Sequence, residues 1–468
     1  VIVYKFGGTS LADAERIRHA AELVRGCQGP RAVVVSALGG VTDELLALAD
    51  RAGKGSGAEA DVTRLTEGLW VRHEEVAAGV VAVAAERALL MGRLDAVFSH
   101  LQAALERVAE GDEIDHRQRA LDEVRAVGED LSVELVAAAL AQVGLDAVVV
   151  DARSVVRTDD RFGGAVPEDE ATARLIGEVL GPLLEAGRVP VLQGFVGATA
   201  DGTTTTLGRG GSDFTAAIVG AALGAKEVGI WTDVDGVLSA EPGQVGEARV
   251  LSELGYEEAV ELAYFGAKVI HPAAAKHAAA RDVSLRIRNS LRPGAPGTLV
   301  RADVRRAAGV AAVAYKPSVT LIKVRSRPMF MAYGFLARVF DVLARHRLPV
   351  DLVATSHTST AFTLDEGEGM GAAAEELGRF AEVEVIPELA TVSVVGHGLL
   401  RRPGIAAGVF SALGATPVQL ISQASDVCLS FLVAADEAPA VVRRLHTQLI
   451  ESAPPVSPAS PVEAGGAG

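Results

Sequence analysis

The chain has 468 residues, 49% of them hydrophobic and 22% charged, which predicts two to four globular domains and excludes a disordered protein. Its net charge of -16 argues against nucleic acid or an anionic membrane as a partner, so an anionic ligand must be held by local positive charge. No apolar run reaches membrane length ("GVVAVAAERALLMG" is broken by Glu86 and Arg87), and two cysteines, Cys27 and Cys428, make neither a disulfide framework nor a zinc site.

The chain opens "VIVYKFGGTS". Val1 to Tyr4 read as a strand buried on both faces. Gly7 and Gly8 leave backbone N–H groups open to a close ligand, and Thr9 and Ser10 are expected to cap the helix "LADAERIRHAAELV". With Lys5 beside it, this turn is an anion site, or else an ordinary strand–helix turn with a snorkelling lysine. The start carries no signal-peptide shape, and a cytoplasmic protein is expected. Further strands ("RAVVVSA", "DAVVVDA", "VPVLQGFVG", "EVGIWTDV", "VSLRIRN") alternate with helices up to about residue 300, the pattern of a mostly parallel sheet covered on both faces. Ligands bind beyond the carboxyl ends of such strands, where "KFGGTS", "SALGGVTD", "GATADGTTTTLGRGGSD" and "TDVDGVL" stand. Residues 55–125 read as an inserted helical pair within a first domain of residues 1–300.

A basic connector (301–312) leads to an internal β-α-β-β repeat, with domains expected at 313–388 and 389–451. Val339-Phe340 matches Val409-Phe410, Leu343 matches Leu413, and Pro349-Val350-x-Leu352 matches Pro417-Val418-x-Leu420. Two small α+β units in tandem suggest a regulatory module. The tail (452–468) reads as disordered or a linker.

There is no G-x-x-x-x-G-K-[ST], no G-x-G-x-x-G after the first strand and no G-x-S-x-G. "TTTTLGRGGSDFTAAIVGAAL" instead sets Arg209 in a glycine loop before a helix starting at Ser212-Asp213, suited to gripping a carboxylate. "WTDVDGV" ends a strand with Thr232 and two carboxylates. "AVGEDLSVEL" places Glu129 after a glycine at a helix start, either for function or for the helix dipole. Only seven residues are lysine, which singles out those in "KFGG" and "FGAKVIHP".

Together "KFGGTS", "TTLGRGGSD", "WTDVDGV" and "FGAKVIHP" resemble the aspartate kinases of the amino-acid-kinase superfamily, over residues 1–450. The helical insertion is similar to that of the lysine-sensitive and bifunctional types. The resemblance implies an α/β amino-acid-kinase fold with a mostly parallel sheet between helices, followed by tandem α+β ACT (ferredoxin-like) domains. It implies transfer of the ATP γ-phosphoryl group to the β-carboxylate of aspartate, the first step towards lysine, threonine and methionine. Lys5 would stabilise the moving phosphoryl group and Asp213 would orient Lys5. Arg209, with Gly210, Gly211 and Ser212, would grip the substrate α-carboxylate and Glu129 its ammonium, beside Ser36, Ala37 and Thr42. Phe6, Gly7, Gly8, Thr232, Asp233, Leu238, Gly243, Lys268 and Val269 would contact ATP, with Mg²⁺ carried on its phosphates. No general base is needed, because the acceptor carboxylate is already ionised at pH 7.

After "TDVDG" the family usually has an aromatic and then "DPR"; here "VLSAEPGQ" puts Leu238, Glu241 and Gly243 in those places. Weaker ATP binding is expected unless a residue such as Arg249 compensates. Met329, Ala332, Phe335, Leu336, Asp351 and His357 fall at effector positions for lysine or threonine. His357 replaces an acid in "VDLVATSHTS", so weak lysine inhibition is expected. A homodimer or larger is expected through the ACT domains. Rival readings are a glutamate or acetylglutamate kinase, and a catalytically weak amino-acid sensor. Val1 in place of methionine fits either a GTG start codon or excision from a bifunctional protein.

Overall fold

Four of the five residues of β1 (Ile2–Phe6) are buried, and the strand lies inside an eight-stranded sheet. The structure, a computed structural model, describes all residues except 55, 56, 58, 111–113, 266–269, 305, 326–332, 366, 368, 424 and 453–468. It divides into two units: Val1–Val237 with Ser252–Val260 and Val269–Val304, and Leu238–Leu251 with Glu261–Lys268 and Arg305–Gly468.

In the first unit the β-rich runs form β2 (Arg31–Val35), β3 (Ala147–Val150), β4 (Val189–Gln193), β7 (Glu227–Thr232) and β9 (Leu285–Asn289). β5 (Val196–Ala198) and β6 (Thr204–Thr206) make a separate hairpin, while β8 (Glu253–Gly255) and β10 (Thr298–Arg301) extend the sheet. The order is β3-β4-β2-β1-β7-β9-β10-β8, and every pair is parallel except β9–β10. Tyr4, Phe6 and Trp231 stack on one face, each pair of ring centroids 6.2 Å apart, in a core shared with Ile17 and Leu131. Because strand side chains alternate, Lys5 points to the other face.

The helices are α1 (Ala14–Arg25), α2 (Val41–Ala52), α3 (Glu59–Val80), α4 (Ala84–Glu110), α5 (Ile114–Gln142), α6 (Asp169–Glu185), α7 (Gly211–Ala222), α8 (Tyr256–Phe265) and α9 (Pro272–Ala280). Two expectations are corrected here. Asp13, not Thr9 or Ser10, caps α1 through Arg16 N, because a 3₁₀ turn over Gly8–Leu11 intervenes. The insertion is three long helices rather than a pair, and the third carries Glu129 in its middle instead of at its start.

The second unit has β11 (Gly309–Arg325), α10 (Phe335–Arg345), β12 (Val353–Thr355), β13 (Ser359–Asp365), α11 (Met370–Gly378), β14 (Glu382–His397), α12 (Ile405–Leu413), β15 (Leu420–Ser422), β16 (Cys428–Ala434) and α13 (Ala438–His446). Its antiparallel sheet runs β12-β13-β11-β14-β16-β15. The repeat is visible as two cores. Val339 and Leu343 pack with Ile322 and Phe362 in one; their counterparts Val409 and Leu413 pack with Val392 and Phe431 in the other. β11 serves both. Val319–Arg325 pairs with β13 beside the first core, whereas Gly309–Lys316 pairs with Thr391–His397 and gives Val313 to the second. The stretch read as a connector thus runs from the end of β10 to the opening residues of β11.

Candidate functional site

At the carboxyl end of β1, Lys5 is 9% exposed, and its Nζ lies 2.6 Å from Asp213 Oδ1 in the first turn of α7. A buried ammonium needs such a partner. The next residues turn sharply beside the loop after β2. A Cβ on Gly8 would lie 2.9 Å from Ala37 O, so only glycine fits. Ser36 N donates to Phe6 O at 3.1 Å, locking the two strand ends together. Thr42 stands in the first turn of α2.

Ala37 N donates to Glu129 Oε1 at 3.0 Å. A Cβ on Gly128 would lie 2.6 Å from Ala37 Cβ, so this glycine lets α5 close on the loop. Burial pushes the Glu129 carboxyl up to about 8; the Ala37 bond and the Lys5 charge oppose the rise, and Asp130 adds to it. Glu129 Oε2 is buried with no hydrogen-bond partner among the described residues. A charged carboxylate there would be completed by a cationic ligand group.

The glycine loop is held from below. Buried Asp122 on α5 accepts from Gly163 N, Thr206 N, Thr206 Oγ1 and Arg125 Nη1 at 2.8–2.9 Å. Gly208 and Gly210 then take φ of 74° and 72°, presenting Arg209 to solvent. Ser212 is buried against Gly194, where a Cβ would lie 2.5 Å from its own. A Cβ on Gly210 would lie 2.3 Å from His271 Cγ. Burial holds the His271 pKa below its usual value; Asp213 works against that shift and Arg209 adds to it, so the imidazole faces the loop uncharged at pH 7.

Lys5, Asp213, Ser36, Ala37 and Glu129 are therefore joined by direct contacts or charge, with Gly7 beside Lys5 and Gly8 against Ala37. Thr232 Oγ1 donates to Asp233 Oδ1 at 3.1 Å at the end of β7. The Phe6 ring is in the core, so only its backbone could meet a nucleotide. Lys268 and Val269, like Met329 and Ala332, lie outside the described residues. Leu238 and Gly243 belong to the second unit, where Leu238 bridges to Val250. Arg249 is exposed, belongs to the second unit, and donates through Nη2 to Ile450 O at 3.3 Å. Phe335 packs edge-on against Phe380, Leu336 is partly exposed and His357 is exposed. Asp351 already has a partner: Lys316 Nζ, shared with Asp365, lies 2.7 Å from it, and Tyr264 OH also donates to it.

Sequence reasoning missed Asp122 and His271. Asp122 pairs locally with Arg125, three residues on, which reads as an ordinary helix-surface ion pair; the loop groups it holds lie 41 and 84 residues away. His271 sat in a recognised motif, "FGAKVIHP", where only the lysine and valine were singled out.

The amino acid kinase family matches residues 1–289, and an ACT domain matches residues 392–449. Lysine-sensitive aspartokinase 3 of Escherichia coli is 36% identical over 462 residues, 96% of this chain and 99% of that protein. An aspartokinase of Thermus thermophilus is 32% identical over 95% of this chain and 98% of its own length. The crystal structure of E. coli aspartokinase III with aspartate and ADP (R-state) superposes with a TM-score of 0.83 at 35% identity, covering 96% of this chain and 99% of that one. Its complex with lysine and aspartate (T-state) gives 0.78 at the same identity and coverage.

The raised Glu129 pKa sets a testable sign. Between about 4.5 unfolded and about 8 folded, only the native state keeps this proton, so the group's contribution makes stability fall as pH rises through that window. Glu129→Gln should flatten that decline in thermal unfolding of the ligand-free protein. An unchanged slope would mean that the carboxyl ionises normally.

Proposed function

The chain belongs to the aspartokinases of the amino acid kinase family, and on that premise we propose how its residues pass the γ-phosphoryl group of ATP to the β-carboxylate of L-aspartate. The observation that carries this reading is the pairing of a buried, anchored cation, Lys5, with a buried carboxylate, Glu129, whose second oxygen awaits a cation. Aspartate brings an ammonium for Glu129 and an α-carboxylate for the Arg209 fork. Its ammonium would draw Glu129 into its charged form on binding.

An oxygen of the β-carboxylate attacks the γ-phosphorus as the bond to the bridging oxygen breaks, and ADP leaves. The acceptor is already an anion, so the site supplies alignment and positive charge instead of a base. Lys5 faces the phosphoryl oxygens, with Asp213 fixing its side chain, and the Gly7–Gly8 backbone gives N–H donors. Mg²⁺ would ride on the nucleotide phosphates and neutralise their charge. The donors beside Lys5 fit this, because the nearby carboxylate, Asp213, is already committed to the lysine. We read the enzyme as cytoplasmic, in keeping with two unpaired cysteines. We also read it as a dimer or larger through the second unit, whose short edge strands β12 and β15 expose Val353 and Ile421.

The effector site differs from an open amino-acid pocket. Burial disfavours the Lys316 charge, but Asp351 and Asp365 outweigh it and raise its pKa. On the reading that Asp351 would meet an effector's ammonium, Lys316 already holds that carboxylate, and His357 adds no attraction. An incoming lysine must displace Lys316.

Lys5→Met should abolish turnover with the fold intact, read by coupled ADP release and circular dichroism; a tenth of the parent rate would remove Lys5 from the mechanism. Arg209→Lys should raise the KM for aspartate more than that for ATP, and an unchanged aspartate KM would assign Arg209 elsewhere. Lysine should inhibit weakly, and His357→Glu should lower the inhibitory concentration roughly tenfold. Tight inhibition of the parent enzyme would contradict this reading of the effector site.

A further inference from the structure

Directly after Glu129 stands a second acid, Asp130, in a half-buried polar cluster that the reaction as described does not use. Arg153, in the turn after β3, grips Asp130 with both arms of its guanidinium, Nη1 to Oδ1 and Nη2 to Oδ2, each at 2.9 Å. Gln193, the buried last residue of β4, donates to Asp130 Oδ1 at 2.9 Å and accepts from Ala152 N at the same distance. Arg153 Nε donates to Thr204 Oγ1 on β6, and Nη1 is shared with Asp151. Helix α5, the turn after β3 and the end of β4 thus meet on one carboxylate, next to the residue that awaits a cation.

Two acids in succession work against each other. Burial already disfavours the charged form of Glu129; the Ala37 N–H bond opposes that, Asp130 adds to it, and Lys5 at the end of β1 opposes it. An unbalanced Asp130 would hinder Glu129 at the moment it must ionise to receive a cation. The fork of Arg153 answers this in two ways. Consecutive helix side chains diverge by about 100°, and the grip holds the Asp130 carboxylate on its own side of α5. It also sets a positive charge against the negative one. Burial disfavours the Arg153 charge, but Asp130 and then Asp151 outweigh it and raise its pKa, so the guanidinium stays charged. The two side chains are 22% and 17% exposed and open on a cavity of about 530 Å³, so changing them does not seal an unpaired group in the core.

We propose that Asp130 and Arg153 are positioning residues for aspartate: their ion pair, braced by Gln193, balances the charge behind Glu129 and so sets how readily that carboxyl takes up the substrate's ammonium. This rests on the proposed function in taking Glu129 to meet the ammonium, a role supported by its buried, unpartnered Oε2.

The test follows kcat/KM for aspartate against pH in the full chain at saturating ATP. In the parent this value should climb with pH along an acid limb set by Glu129. Arg153→Gln leaves Asp130 unbalanced and should move that limb up by about one pH unit; Asp130→Asn should move it down by about as much. The double variant, with neither charge, should return close to the parent, and Arg153→Lys, which keeps the charge, should stay near it. Both single variants break the same ion pair, so a merely structural brace would not shift the limb in opposite directions. If Arg153→Gln does not fold, Asp130→Asn against the double variant makes the same comparison. Shifts of one sign in both would overturn the proposal. Glu129→Gln separates the two claims. If it keeps the parent's acid limb and aspartate KM, the role given to Glu129 falls and the proposal with it. If it loses them while the Asp130 and Arg153 variants keep the parent profile, the proposal alone falls.

Discussion

A lysine ammonium at the end of a central, buried strand is the constraint around which the first unit is arranged. Leaving that charge unpaired would cost several kcal/mol, so Asp213 must come within 2.6 Å, and α7 must start where it does. That start depends on the left-handed Gly208 and Gly210, and these follow the hairpin that Asp122 ties to α5. The same helix carries Glu129 to the Ala37 loop. One ion pair therefore sets the placement of three segments distant in sequence.

The pair also shows how an acidic protein handles anionic ligands. With a net charge of -16, the chain does not attract them by its overall field. Among the described site residues it places one cation, Lys5, where water is scarce and charge is felt strongly. Glu129 is the counterpart for the opposite charge. Burial raises its pKa to about 8, so in the free protein it adds little negative charge near Lys5 at pH 7.

Much of this was legible in the sequence, because strands β1, β2, β4 and β7 are short apolar runs that end in distinctive loops. The repeat was legible too, since Val339 and Val409 hold equivalent core positions. What was hidden depends on contacts across the chain. Gly128 looked like a helix boundary, as an interior glycine costs about 1 kcal/mol relative to alanine. It sits mid-helix because any side chain would strike Ala37. Ser10 looked like a cap, but its hydroxyl is 2.7 Å from Ser290 Oγ. Phe6 looked like part of a ligand loop, yet strand alternation turns its ring into the core. The partner of Asp351 could not be read either, for nothing near Lys316 in the sequence announces a pairing with it.

The double service of β11 has a consequence for how the protein is made. Gly309–Lys316 leaves the ribosome before the whole of the first repeat, but the strand it joins, Thr391–His397, emerges only after that repeat is complete. The first repeat can close on itself as it is synthesised. The second is left with a waiting strand, rich in apolar side chains and with unsatisfied backbone groups, until Val394 arrives beside Val313. During that interval the nascent chain exposes a pairing edge that its neighbours on a polysome also carry. The second repeat is thus the later to fold and the more exposed to misassembly, although among the described residues its finished core is the larger of the two.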